Sequence, residues 1–256
     1  MKKYILLVFT IFGIYNSFAQ EITRRDSLQG GLRFERTCFD ILRYDLDIKV
    51  DPNKKSIFGA NDITFKVIEP TKKIQLDLFD NMTINNMVLD KHTKVSFSRE
   101  FNAVFIKFPK LLKKGTSHQL KIDYSGNPLV AKNAPWDGGF VFSSDTSRKP
   151  WIGVAVQGIG ASLWYPCKDT QTDEPDNGAS IKVAVPDGLM NVSNGRFMGS
   201  TKVKNGYTRW DWEVKNPINN YDITLNIADY VHLHDELNGL DIDYYILREN
   251  AEKAKL

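Results

Sequence analysis

The sequence predicts an all-β fold built of antiparallel strands in a sheet or sandwich, and three observations carry that prediction. Residues 42–50 read LRYDLDIKV, with Leu42, Tyr44, Leu46, Ile48 and Val50 on one face and charged residues on the other, the period of a half-buried strand. Pro, Gly and Asn cut the chain at short intervals, which favours hairpins over strand-helix-strand units. Nothing between Cys38 and Leu247 carries a helical period. With 42% hydrophobic and 25% charged residues among 256, the composition is that of a globular protein, long enough for one large domain or two small ones.

The first 19 residues precede the fold. Lys2 and Lys3 form a positive start, residues 4–15 an apolar run, and Ser17-Phe18-Ala19 a small-x-small site before Gln20, the layout of a cleaved signal peptide. The run falls short of the roughly 20 residues that span a bilayer. No cysteine follows it to take a lipid anchor, and no later segment is apolar enough to span. The mature chain is therefore expected to be exported, periplasmic or extracellular, with residues 20–37 as an extension ahead of a β domain over residues 38–248.

The strands follow in order. Asp51-Pro52-Asn53 makes a turn. Residues 55–67 return with Ile57, Ile63, Phe65 and Val67 facing inward, and Gly59 marks a bulge or bend. Further strands are expected over 73–79, 82–89, 94–98, 103–108 and 118–124, then over 179–185, 208–214, 221–227, 230–234 and 242–247. Residues 248–256, RENAEKAKL, are rich in helix formers with Asn250 as a candidate N-cap, so a helix is expected to begin there, as at a domain boundary.

Charge excludes two partner classes. Loss of Lys2 and Lys3 lowers the formal charge from +3 to +1, and the remaining charges are mixed throughout, which leaves no footprint for nucleic acid or an anionic membrane surface. Cys38 and Cys167, the two cysteines, would meet an oxidising compartment. A bridge needs their Cα atoms within ~4.4–6.8 Å, so the sequence leaves pairing open against two separate buried thiols.

Residues 156–176, VQGIGASLWYPCKDTQTDEPD, carry the chemistry. Together with YDLDIKVDPNKKSIFGANDITFKV before them, IDYSGNP, WDGGFVFSSD, and NVSNGR and NPINNYDITLNIADYVHL after them, they resemble the N-terminal β domain of aminopeptidase N-type zinc metallopeptidases. The resemblance covers about residues 38–248 and implies a saddle-like β domain that walls the substrate cleft. It also implies a separate catalytic domain that holds zinc through a His-Glu-x-x-His helix and a later Glu, and reads the substrate amine partly through a Gly-x-Met-Glu-Asn loop. Neither motif occurs here, and the only histidines are His92, His118, His232 and His234. The chain itself is thus expected to hold no cofactor; zinc and hydrolysis belong to a domain beyond it. The loop also departs from the family's Pro-Cys-x-Asp-Glu-Pro: four residues, Thr170 to Asp173, separate Asp169 from Glu174.

Gln157 aligns with the position from which this family presents an acceptor to the free α-ammonium of a peptide substrate, a role suited to an amide oxygen. Gly158, Gly160 and Ala161 are the accompanying substrate-site residues, small enough for substrate or neighbouring backbone to come close. The competing reading makes Gln157 a strand cap bonded to a nearby loop. Trp164 and Tyr165 are expected in the core or at a domain junction, with an apolar face near them. Asp169, Asp173, Glu174 and Asp176 read as a solvated acidic loop, with calcium binding or carboxylate catalysis as rivals. His232 and His234 share a strand face without a third metal ligand in view. Two other function classes stay open: a stand-alone peptide- or glycan-binding β module, and a glycosidase-like hydrolase using Asp173 and Glu174.

Overall fold

The computed structural model describes residues 21–134 and 136–255; the expected signal peptide lies outside them. The chain divides into two compact units, Met1–Gly31 and Leu32–Leu256. In the first, helix α1 (Arg24–Gly30) starts on a capping box: the Thr23 hydroxyl accepts from Asp26 N, and the Asp26 carboxylate accepts from Thr23 N at 2.9 Å. Each end group thereby satisfies the other's orphan donor.

The second unit opens with the short helix α2 (Phe34–Thr37). Strands β1 (Phe39–Asp51) and β2 (Ser56–Val67) then form a hairpin. It closes through the expected turn, in which the Asp51 carboxylate accepts from Asn53 N and Lys54 N. The alternation in β1 slips once. A bulge between Ile41 and Arg43 puts Phe39 and Ile41 on the buried face ahead of it and Tyr44, Leu46, Ile48 and Val50 after it, leaving Leu42 half-exposed, since an extra residue reverses the period of two. Gly59 is no bulge: it pairs in unbroken register with Ile48. A Cβ there would overlap the Asp47 carbonyl, so its bareness serves close approach of two backbones.

Next come β3 (Thr71–Asp77), β4 (Met82–Leu89), β5 (Thr93–Lys94), β6 (Ser96–Glu100), β7 (Ala103–Leu112) and β8 (Ser117–Gly126). The strand expected over 94–98 is split between β5 and β6, which enter different sheets. Strands β9 (Gly139–Ser144) and β10 (Pro150–Ala155) follow, then β11 (Ala179–Pro186), β12 (Met190–Ser193), β13 (Arg196–Val203), β14 (Tyr207–Val214), β15 (Leu225–Ala228), β16 (Tyr230–Leu237) and β17 (Leu240–Leu247). The sequence reading missed β9, β10, β12 and β13, which are short, glycine-bearing or largely exposed and so carry no clean alternation. Only β15 fills the strand expected over 221–227; residues Asn220–Asp222 form a 3₁₀ turn instead.

The strands make an eight-stranded sheet in the order β13-β14-β11-β1-β2-β8-β4-β5, a four-stranded sheet β12-β15-β10-β9, a three-stranded sheet β3-β7-β6 and the hairpin β16-β17. Among the strands of the described residues pairing is antiparallel except for β1 with β11, which run parallel from Tyr44 opposite Ala179 to Lys49 opposite Ala184. A parallel pair needs a long crossover, and the chain from β2 to β10 supplies it. One continuous cluster of buried side chains joins the large sheet (Leu46, Ile63, Ile122, Ile181) to the three-stranded sheet (Ile74, Ile106) and the four-stranded sheet (Phe140, Ile152, Ile227). The fold is all-β with a sandwich-like core, as expected. No helix among the described residues is long and apolar enough to cross a membrane.

Beyond β17 the described residues hold 3₁₀ turns at Arg248–Asn250 and Lys253–Lys255 in place of the expected helix. Side chains there are tied to the sheet: Arg248 pairs with Asp229 at 3.0 Å, and Glu249 accepts from Thr146 N.

Candidate functional site

β10 runs into a tight turn over residues 156–160. Backbone bonds from Ile159 N and Gly160 N to the Val156 carbonyl, at 3.2 and 2.9 Å, close it, so the turn needs no side-chain cap. Gln157 and Gly158 are exposed at its tip. Gly158 has φ +76° with open space around it, and Gly160 has φ +95°, conformations that favour glycine.

A half-buried carboxylate fixes the base of the turn. Asp169 accepts from Ser162 N at 3.1 Å, Ser162 Oγ at 2.6 Å and Ala161 N at 3.3 Å, at the start of the 3₁₀ turn Ala161–Leu163. A Cβ on Gly160 would overlap this carboxylate. Ala161 is fully buried. Gly160→Ala is therefore expected to cost about 2–4 kcal/mol, combining backbone strain with loss of the Asp169 cap, whereas Gly158→Ala meets only the φ penalty of about 1 kcal/mol. Urea denaturation of both variants checks this, and equal losses would remove Asp169 from the account.

Asp169 is itself held from α2 and β3. Its N–H donates to Asp77 Oδ2 at 3.2 Å and its carbonyl accepts from Arg36 Nη1 at 3.1 Å, while Arg36 Nη2 pairs with Asp77 Oδ2 at 2.6 Å. Gln75 Nε2 donates to the other Asp77 oxygen at 3.0 Å and Arg33 Nη2 to Gln75 Oε1 at 2.6 Å. Arg36 is fully buried and Asp77 nearly so. Burial pushes the Asp77 carboxyl up to about 7 against the pull of Arg36, because a charge loses its hydration there.

The rest of the loop turns inward. The Lys168 ammonium reaches the Phe39 carbonyl at 2.8 Å and pairs with Asp173 at 2.9 Å, both side chains being buried. Lys168 N donates to the Tyr44 hydroxyl, and Asn220 Nδ2 donates to the Lys168 and Thr170 carbonyls. Tyr165 OH donates to the Asn220 carbonyl at 2.7 Å. Trp164 and Tyr165 are fully buried in the core, and their rings pack edge to face 4.6 Å apart. The reading of a solvated acidic loop is corrected for its two inward members: Asp173 neutralises Lys168, and Asp169 caps the 3₁₀ turn. Glu174 and Asp176 are exposed, and Glu174 accepts from Asn219. Asp173 and Glu174 are thus committed to structural partners, which leaves the glycosidase reading without its acid pair.

Cys38 and Cys167 are free and buried. Burial raises both thiols above their ordinary range.

The histidines do not fit a catalytic zinc. His118 bonds Asp90 and Thr116, and His232 and His234 both bond Asp243 across the exposed β16-β17 hairpin. Among the described residues no group of three or more His, Cys, Asp or Glu is placed to hold a metal ion.

The structure places Gln157, Gly158 and Gly160 in the turn after β10 and Ala161 at the start of the following 3₁₀ turn. The sequence reading missed Arg36, Gln75, Asp77 and Asn220. Asp77 alone had a local sign, a carboxylate between Leu76 and Leu78; its partners Arg36 and Asp169 lie 41 and 92 residues away.

The fold is shared with the M1 zinc metallopeptidase from Deinococcus radiodurans, at TM-score 0.69 and 20% identity over 82% of this chain and 47% of that one. A Glu-to-Ala mutant of the Deinococcus radiodurans enzyme bound to a Tyr-Ser-Ala substrate matches at TM-score 0.67 and 19% identity, over 81% and 47%. The chain thus spans about half the length of these structures. It matches no curated protein. The family model of the peptidase M1 N-terminal domain matches residues 41–221. That stretch runs from β1 through the Gln157 turn to the Asn220 loop anchor, and it makes the chain a member of the peptidase M1 N-terminal domain family.

Proposed function

We propose that the chain is the substrate-facing domain of an exported zinc aminopeptidase. Gln157 accepts a hydrogen bond from the free α-ammonium of a peptide substrate, and a catalytic domain outside this chain holds the zinc and carries hydrolysis. The observation that carries the reading is the Gln157 turn itself: an exposed amide at a sheet end, on a turn fixed from behind by Asp169, Asp77 and Arg36. A fixed backbone places the base of that side chain before a cation arrives, which lowers the cost of positioning the acceptor. Membership of the M1 family supports it, as does the Tyr-Ser-Ala substrate of the similar Deinococcus enzyme. Export rests on the signal-like residues 1–19.

Substitution in the complete enzyme tests the role. Gln157→Ala removes one charge-assisted contact of roughly 1.5–3 kcal/mol, an expected ten- to 150-fold loss in kcat/KM at about 1.4 kcal/mol per decade. Gln157→Glu keeps the activity, because a carboxylate accepts from an ammonium at least as well. Substrates with blocked N-termini show no dependence on the residue. Turnover of free-amine substrates by Gln157→Ala within about twofold of wild type, some 0.4 kcal/mol, would overturn the proposal.

A further inference from the structure

Residues 136–139 read WDGG and lead into β9. β9 and β10 pair antiparallel with Gly139 opposite Ala155, so the start of β9 and the end of β10 meet at one point, where β10 enters the Gln157 turn. Contact there is close: a Cβ on Gly138 would overlap the Ile159 side chain and lie 2.9 Å from the Gln157 carbonyl oxygen. Trp136 stands two residues earlier. At no more than ~3.6 Å of chain per residue, its Cα lies within about 7 Å of that contact.

The loop that carries Trp136 is braced. The Asp137 carboxylate accepts from Lys132 N and Asn133 N, both at 2.7 Å, and Trp136 N donates to the Asn133 carbonyl at 2.9 Å. Yet Trp136 is 83% exposed. Of the five tryptophans, Trp164 and Trp212 are buried and Trp151 and Trp210 half-buried. A large apolar ring set in water on a fixed turn is suited to covering something apolar.

Resting on the substrate role of Gln157, we infer that Trp136 is a specificity residue, a platform for the side chain of the substrate's first residue, favouring peptides that begin with a large apolar or aromatic residue. The side chain of that residue branches from the carbon that bears the ammonium. Holding the ammonium at Gln157 therefore brings the side chain within reach of a ring in the adjoining loop. Packing of this kind discriminates between large and small side chains by about tenfold or more.

The test compares substrates that begin with Phe or Leu with one that begins with Ala, in the complete enzyme. Trp136→Ala is expected to lower the Phe-to-Ala ratio of kcat/KM about tenfold, and Trp136→Phe to restore part of it. Gln157→Ala lowers all three substrates alike. Folding is not at risk at so exposed a site, and thermal melting of the variants verifies it. A ratio unchanged within about twofold, while Gln157→Ala still shows its loss, overturns the Trp136 role and leaves that of Gln157 standing. An equal loss for every substrate with a lowered melting temperature also overturns it, and assigns the ring to packing against the catalytic domain. Silence of both variants removes the substrate-facing reading and this inference with it.

Discussion

Arg36→Met is expected to destabilise the domain by about 3–5 kcal/mol, the cost of leaving a buried carboxylate without its cation. Arg36 meets Asp77 at 2.6 Å in full burial and also holds the Asp169 carbonyl, so its loss strikes the base of the Gln157 turn. The deficit should depend on pH. Burial already lifts Asp77 from 3.8 to about 7, and removal of the neighbouring positive charge lifts it further. For an acid raised in this way, the folded state binds a proton that the unfolded state has released, throughout the window between the two values. Stability contributed by this group is therefore greatest in acid and falls as pH rises through that window. The Arg36→Met deficit should be largest above about pH 7 and shrink toward pH 5, where Asp77 carries a proton. Urea denaturation at pH 5 and pH 8 measures it, and equal deficits at the two values would show that the carboxylate is not the cause. The double variant Arg36→Met, Asp77→Leu should recover much of the loss, since apolar groups of similar volume often replace a buried pair without penalty.

Trp164→Ala should cost about 3–5 kcal/mol, the range for removing a fully buried aromatic ring. The indole is wholly enclosed and packs edge to face on Tyr165 at 4.6 Å and on Phe140 at 6.4 Å. It thus links the loop after the Gln157 turn to β9. Trp164→Phe should cost much less, under about 1.5 kcal/mol. Phenylalanine keeps most of the apolar contact, and it also removes an indole N–H that has no hydrogen-bond partner among the described residues, a buried donor whose desolvation already counts against the native state. Chemical denaturation of the two variants separates these contributions. A Phe variant as unstable as the Ala variant would mean that the N–H is satisfied and needed.

Hairpin strands were legible in the sequence because their period is local. Tyr44, Leu46, Ile48 and Val50 face the core in the structure as they alternate in the chain, and the Asp51 turn follows from one carboxylate and its two neighbouring N–H groups. The order of these segments pointed to the peptidase M1 N-terminal domain, whereas the positive φ of Gly158 and Gly160 in the Gln157 turn emerged only in the structure. Tertiary structure alone decided the parallel pairing of β11 with β1, because the partner of a strand is set by what shares its core, at any distance along the chain. It alone turned Asp169 and Asp173 inward, where the letters read as a solvated acidic loop. A carboxylate leaves water only where donors or a cation meet it, and only the folded chain brings Ala161 N and Ser162 to the Asp169 carboxylate and the Lys168 ammonium to Asp173.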